Sequence, residues 1–160
     1  MLFRSYIKLV FIVCLLGGCV ATGPLFTNAE TIPPGKALVY IYRPHILALS
    51  AVTASFSVDE EPAANIRDSG YSPVFVTPGS HLIKHKWDVG ILHESGLKDK
   101  PLRLMIDVTE GQTIYVRLRS DYSTRPSGVN EKTIMWHWQL EEIAAESARK
   151  EIVATHLERP

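Results

Sequence analysis

Period-two alternation constrains this chain more than any other feature. In residues 102–109, Leu102, Leu104, Ile106 and Val108 alternate with Arg103, Asp107 and Thr109. In residues 113–119, Ile114, Val116 and Leu118 alternate with Arg117 and Arg119. Successive side chains of a strand point to opposite faces, so the rhythm fits strands with one face in a core and the other in water. A helix would scatter the same apolar residues around its circumference. Residues 132–140 repeat the pattern, with Ile134, Trp136, Trp138 and Leu140 expected inward and Thr133, Met135, His137 and Gln139 outward. Glu110-Gly111-Gln112 is a loop of hairpin length, which predicts antiparallel pairing of the strands on either side of it.

Residues 36–43 differ, because Leu38, Tyr40 and Tyr42 on one face and Val39 and Ile41 on the other are all apolar, as in a central strand. Pro44 has no N–H for the ladder and ends it. Further β-rich stretches at 50–58, 63–67, 71–77 and 80–88 are divided by Asp59-Glu60-Glu61-Pro62, Asp68-Ser69-Gly70 and Pro78-Gly79, all turn-forming sequences. From Glu141 the composition shifts to Ala, Glu, Lys and Arg, with acids first and bases later, as a helix dipole favours. A helix is expected over about 141–154, packing through Leu140, Ile143, Ala144, Ala148 and Ile152. The fold class expected is mainly β, an antiparallel β-sandwich or partial barrel of about seven or eight short strands with a C-terminal α-helix.

The N-terminus carries a different message. Arg4 and Lys8 precede an apolar run at residues 9–16, shorter than the ~20 residues a membrane-spanning helix needs. A basic region followed by such a run has the form of a signal peptide. The next four residues, Leu16-Gly17-Gly18-Cys19, resemble the bacterial lipobox, in which small residues precede the cysteine that is acylated before cleavage. That resemblance implies a signal peptide over 1–18, cleavage between Gly18 and Cys19, and a diacylglycerol thioether on Cys19, commonly with a third acyl chain on its amino group. Cys14 is a poor alternative, because the bulky Phe11, Ile12 and Val13 stand where a signal peptidase needs small residues. Val20 follows the cysteine in place of the Asp that often marks retention at the inner membrane, so an outer-membrane address facing the periplasm is expected.

The chain then divides into a signal peptide (1–18), a lipidated N-terminus and flexible tether (19–35), and one domain (36–160). Gly23-Pro24, Asn28 and Pro33-Pro34-Gly35 leave residues 20–35 without helical or strand rhythm. Fully stretched they would reach roughly 50 Å at about 3.3 Å per residue. Cys14 and Cys19 are the only cysteines, so the mature domain has no internal disulfide, cysteine nucleophile or cysteine-ligated zinc. Its stability must come from hydrophobic burial, for which an apolar fraction of 46% is adequate. Lys and Arg number 17, as do Asp and Glu, a balance that gives no footprint for nucleic acid.

Candidate chemistry is sparse. His81 and His85 share a strand face but sit about 13 Å apart, too far to grip one ion without bending. Asp59, Glu60 and Glu61 lack the ligand spacing of a calcium loop. There is no phosphate-cradling glycine loop, and no G-x-S-x-G elbow of the kind a hydrolase would use. No metal or other cofactor is expected. Lys84 and Lys86 with Arg117 and Arg119 recur at strand spacing and could form a basic strip. Arg43 ends the apolar strand beside aromatic residues, where a guanidinium can stack and pair with a carboxylate such as Asp107.

Tyr40-Ile41-Tyr42-Arg43-Pro44 after a lipobox, the Pro78-Gly79 turn, the Tyr115-Val116-Arg117 strand and the Glu/Ala-rich terminal helix are together similar to a family of bacterial lipoproteins carrying a β-sandwich domain of unknown function. The resemblance runs from about residue 36 to 152 and brings no activity with it. It implies the fold and the location and leaves the biochemistry open. The anchor and the lack of catalytic motifs lead to the expectation of a non-enzymatic envelope protein, held to a membrane through Cys19, that meets another envelope protein or the cell wall, with Tyr42, Arg43, Lys84, Lys86, Arg117 and Arg119 as candidate contacts. One alternative is a glycan or small-ligand module stacking its ligand on Trp87, Trp136, Trp138 and Tyr42, and a further one is a hydrolase whose polar groups converge in space.

Overall fold

A computed structural model describes residues 20–27, 30–46, 50–88, 101–128 and 131–158, with the side chains of 126–135 excepted. Cys19 and the preceding leader lie outside the described residues, as do 28–29, 47–49, 89–100, 129–130 and 159–160. The elements in order are β1 (Ala37–Arg43), β2 (Thr53–Val58), β3 (Glu61–Ile66), β4 (Gly70–Val76), β5 (Gly79–Asp88), β6 (Leu102–Val108), β7 (Thr113–Gly128), β8 (Glu131–Ile143), helix α1 (Ala145–Ile152) and β9 (His156–Leu157).

They form two sheets, of order β8-β7-β1-β4-β9 and β3-β2-β5-β6. Ala37, Val39 and Ile41 of β1, Val76 of β4 and Ile114, Val116 and Leu118 of β7 turn toward Ala54, Phe56, Ile66, Ile83, Ile106 and Val108 of the other sheet. This is a β-sandwich, as the alternation predicted. The other face of the five-stranded sheet is also covered. Leu38, Tyr40, Tyr42, Tyr71 and Tyr115 pack there with Phe26 and with Ala148 and Ile152 of α1. Every residue of β1 is buried, which is why its sequence is apolar on both faces. At about 1.5–3 kcal/mol per fully buried large side chain, this strand anchors both layers.

The expected hairpin around Glu110-Gly111-Gln112 does not form. β6 pairs only with β5, while β7 pairs with β1 in parallel and with β8 antiparallel. The connection is an arch from one sheet to the other. Gly111, at φ 74°, donates its N–H to Lys36 O (2.8 Å), and Leu38 donates to Gln112 O (2.9 Å), so the arch hands the chain to β1. The two alternating strands lie in different sheets and both point their apolar residues into the core between them, and their pattern is the same as it would be side by side.

Two boundaries also shift. β8 runs to Ile143, and Glu141 lies opposite Arg117, so the helix occupies Ala145–Ile152 rather than 141–154. Cross-strand pairing outweighs the helix propensity of Glu141 and Glu142. The hairpin of β7 and β8 extends beyond residue 119, and its polar residues Ser120, Asp121 and Ser123 carry no apolar rhythm.

The segment expected as a tether differs most over its described residues. Val20 bridges Asp68 in parallel and Leu25 bridges His156 antiparallel. Ala21 N–H donates to Asp68 O (3.0 Å), Leu157 N–H to Pro24 O (2.8 Å) and Phe26 N–H to Thr155 O (3.1 Å). Phe26 is buried edge-on against Tyr40 and Tyr71, with centroids at 5.3 Å from each. A Cβ at Gly23 would sit 2.0 Å from Leu157 O, so only glycine permits this approach. A segment held by single bridges and one aromatic plug has no period to display. Among the described residues no helix is long and apolar enough to cross a membrane.

Candidate functional site

Arg43 sits at the end of β1 with the parity of Val39 and Ile41, so its side chain enters the space between the sheets. It is fully buried. Its Nη1 donates to Val52 O (2.5 Å), Nη2 lies 3.8 Å from Asp68 Oδ1, and the guanidinium stands 5.0 Å from the centre of the Trp87 ring. Burial lowers its pKa and the Asp68 charge opposes that. Asp68, equally buried, also accepts from Ile46 N–H (2.8 Å) and meets the His45 ring. The anticipated stacking is present, but the carboxylate is Asp68. Asp107 has the outward parity of β6 and accepts from Ser80 instead. An enclosed cation of this kind fastens the two sheets and offers no surface to a ligand.

His85 completes this cluster, its ring 5.2 Å from Phe56 and 4.5 Å from Trp87. Burial, and then the Arg43 charge, push its pKa down to about 3, so it is neutral at ordinary pH. Its Nε2 and Trp87 Nε1 find no hydrogen-bond partner among the described residues. His81 has its two ring nitrogens at Asp59 Oδ2 (2.6 Å) and Thr77 O (2.7 Å). Among the described residues no three His, Cys, Asp or Glu side chains converge as metal ligands.

The four expected strip residues separate. Arg117, with Tyr42, belongs to the face covered by α1. Its Nη2 donates to Glu141 (2.8 Å) and Nη1 to Glu151, which also accepts from the Tyr42 hydroxyl (2.8 Å). Burial and the Glu151 bond raise the Tyr42 pKa, fixing it as a neutral donor. Arg119 lies 3.8 Å from Asp121, and with His45, Arg117 and Glu151 it lines a cleft of about 240 Å³. Lys84 and Lys86 are on the outer face of the other sheet, beside a cleft of about 410 Å³ with Ser55, Ser57 and Asn65, and Lys84 pairs with Glu60. Two pairs on opposite outer faces, two of the four held by glutamates, give no continuous track for an anionic polymer.

The feature left open to a ligand is aromatic. Trp138, expected to fill the core, lies at its margin, 4.8 Å from Trp87. Trp136 stacks on Trp138 at 6.2 Å but is 42% exposed. Tyr122 stands opposite Trp136 in the β7–β8 register, with ring centres 5.6 Å apart, and is 60% exposed. Trp136 keeps its inward parity, but its ring is only partly covered. The sequence did not single out Tyr122; its even-numbered step from Leu118 was the available signal. His137 is outward, as expected, and bonds Ser123 (2.8 Å).

A family described as a protein of unknown function (DUF2846) matches residues 33–131, which contain β1 to β7. No curated protein matches the chain.

Proposed function

Because the chain belongs to the DUF2846 family, which supplies a domain but no activity, we propose from its own residues that it is a lipid-anchored cell-envelope protein with a non-enzymatic, interaction-presenting β-sandwich. The observation that carries this reading is Leu16-Gly17-Gly18-Cys19 behind the basic Arg4 and Lys8 and an apolar run. Two or more acyl chains on Cys19 hold a protein stably on a bilayer, each buried methylene contributing about 0.8 kcal/mol. Val20 after the cysteine favours the outer membrane, facing the periplasm. The test is the intact mass of the membrane-extracted protein beside a Cys19→Ala variant. The expected result is a chain beginning at acylated Cys19 and a variant lacking that mass; an unmodified or uncleaved N-terminus refutes the anchor.

The partner is an envelope protein or the cell wall. Exposed Trp136 and Tyr122 favour a second reading within that frame, a glycan stacked on the hairpin rings. Tyr42, enclosed beneath α1, and Trp87, stacked under Arg43, are not part of that platform. Soluble cell-wall fragments that shift tryptophan fluorescence in the native chain but not in Trp136→Phe support it, and an unchanged native spectrum refutes it.

A further inference from the structure

Val20 is the first described residue, and it is already seated on the domain through its bridge to Asp68. One peptide unit separates it from Cys19, a Cα–Cα step of about 3.8 Å. Ala21 also bonds Asp68, and from Gly23 to Phe26 the chain is stitched to residues 155–157, with His156 Nδ1 at Gly23 O (2.6 Å) adding to the backbone bonds. The anchor point therefore has no slack. Whatever holds Cys19 also holds this edge of the five-stranded sheet.

That edge carries apolar side chains turned to solvent. Val20 is 37% exposed and Leu25 50%, and Val153, just past α1, is 51% exposed. Leu25 adjoins one end of the Phe26–Thr155 hydrogen bond, and Val153 stands two residues before the other end. Resting on the lipid-anchor reading of Cys19, we propose that the domain is docked directly on the bilayer, with Val20, Leu25 and Val153 dipping into the headgroup region. The opposite sheet edge, formed by β6 and β8, is thereby turned away from the lipid. The occupant of the apolar edge is the membrane that holds the acyl chains, because chain continuity places that membrane one residue away.

The cysteine count makes the test direct. With Cys14 removed with the leader and Cys19 blocked by its thioether, a new cysteine is the single free thiol. Leu25→Cys, Val153→Cys and, as a control, Met105→Cys are made in the full-length protein, extracted from membranes and labelled with an environment-sensitive fluorophore. All three positions are solvent-facing, so the fold is preserved, which circular dichroism checks. The labelled proteins are reconstituted into vesicles of phosphatidylethanolamine and phosphatidylglycerol, part of the lipid carrying brominated acyl chains. The expected result is flotation of all three, with severalfold stronger quenching at 25 and 153 than at 105. Flotation with equal quenching at the three positions, or with none, overturns the docked edge and leaves the anchor standing. Protein that does not float overturns the anchor and the docking together.

Discussion

Replacing His85 by Phe should remove much of the acid sensitivity of the fold. His85 lies between Phe56 and Trp87 with its pKa pushed down to about 3, whereas the unfolded chain titrates it near the ordinary value of about 6.5. Above the unfolded value both states are neutral and the group has no effect. As pH falls toward the folded value, only the unfolded state takes up the proton, so stability is lost progressively. At pH 5 the difference from pH 7 amounts to about 2 kcal/mol. Phe has a similar planar ring, and it removes a buried nitrogen that has no hydrogen-bond partner among the described residues, so at pH 7 the variant should be within ~1 kcal/mol of the native chain. His81, whose pKa is raised chiefly by Asp59, titrates with the opposite sign, but it is present in both proteins and cancels. Urea unfolding followed by circular dichroism at the two pH values gives the comparison. If the gap between the proteins changes by less than ~0.5 kcal/mol from pH 7 to pH 5, then His85 is protonated within the fold and the argument from burial fails.

Arg43→Met leaves Asp68 without its buried cation and should cost about 3 kcal/mol, read as a lower urea midpoint; a loss under ~1 kcal/mol would mean that the pair does not fasten the sheets. Asp59→Asn keeps a residue suited to the positive φ of 50° but removes the charge facing His81. Asp59 is held low by the Leu82 N–H and by His81, and His81 is held high by Asp59, so their mutual stabilisation exists between the two titrations. The variant should therefore be destabilised at pH 6 and approach the native chain above the raised His81 value, whereas a pH-independent difference would rule out the ion pair. Phe26→Ala should cost about 3 kcal/mol and open residues 20–27 to hydrogen exchange, and unchanged protection there would show that the aromatic plug does not seat the segment. Trp136→Ala should change thermal stability by less than about 1 kcal/mol, since the ring is only partly covered; a larger loss would make it a core residue.

Period two carried the fold. It marked β6, β7 and β8, while β-forming residues between turn signals marked β1 to β5, and only the two-residue β9 left no sign. Because alternation is imposed by the pleat and not by the neighbour, it could not say which strands pair, and β6 and β7, expected side by side, lie in different sheets. The helix was placed four residues early because Glu141 and Glu142 are good helix formers, and their pairing partners lie over twenty residues away. Arg43 was legible as a stacked cation, but its carboxylate depended on a turn at Ser69, with φ 57°, that brings Asp68 inward. The seat of residues 20–26 left only one mark in the sequence, a lone Phe26 among turn formers. Trp136 was misplaced because parity gives direction but not whether another layer stands opposite.

The joining of residues 23–26 to 155–157 also sets a timetable. The two ends of the described chain share hydrogen bonds, so this part of the leading segment must wait for the last strand before those bonds exist. For a chain made in order from its first residue, this edge closes last, after β9 emerges. Deleting residues from 153 onward would therefore act at the opposite end of the sequence, removing every hydrogen-bond partner that residues 23–26 find in 155–157.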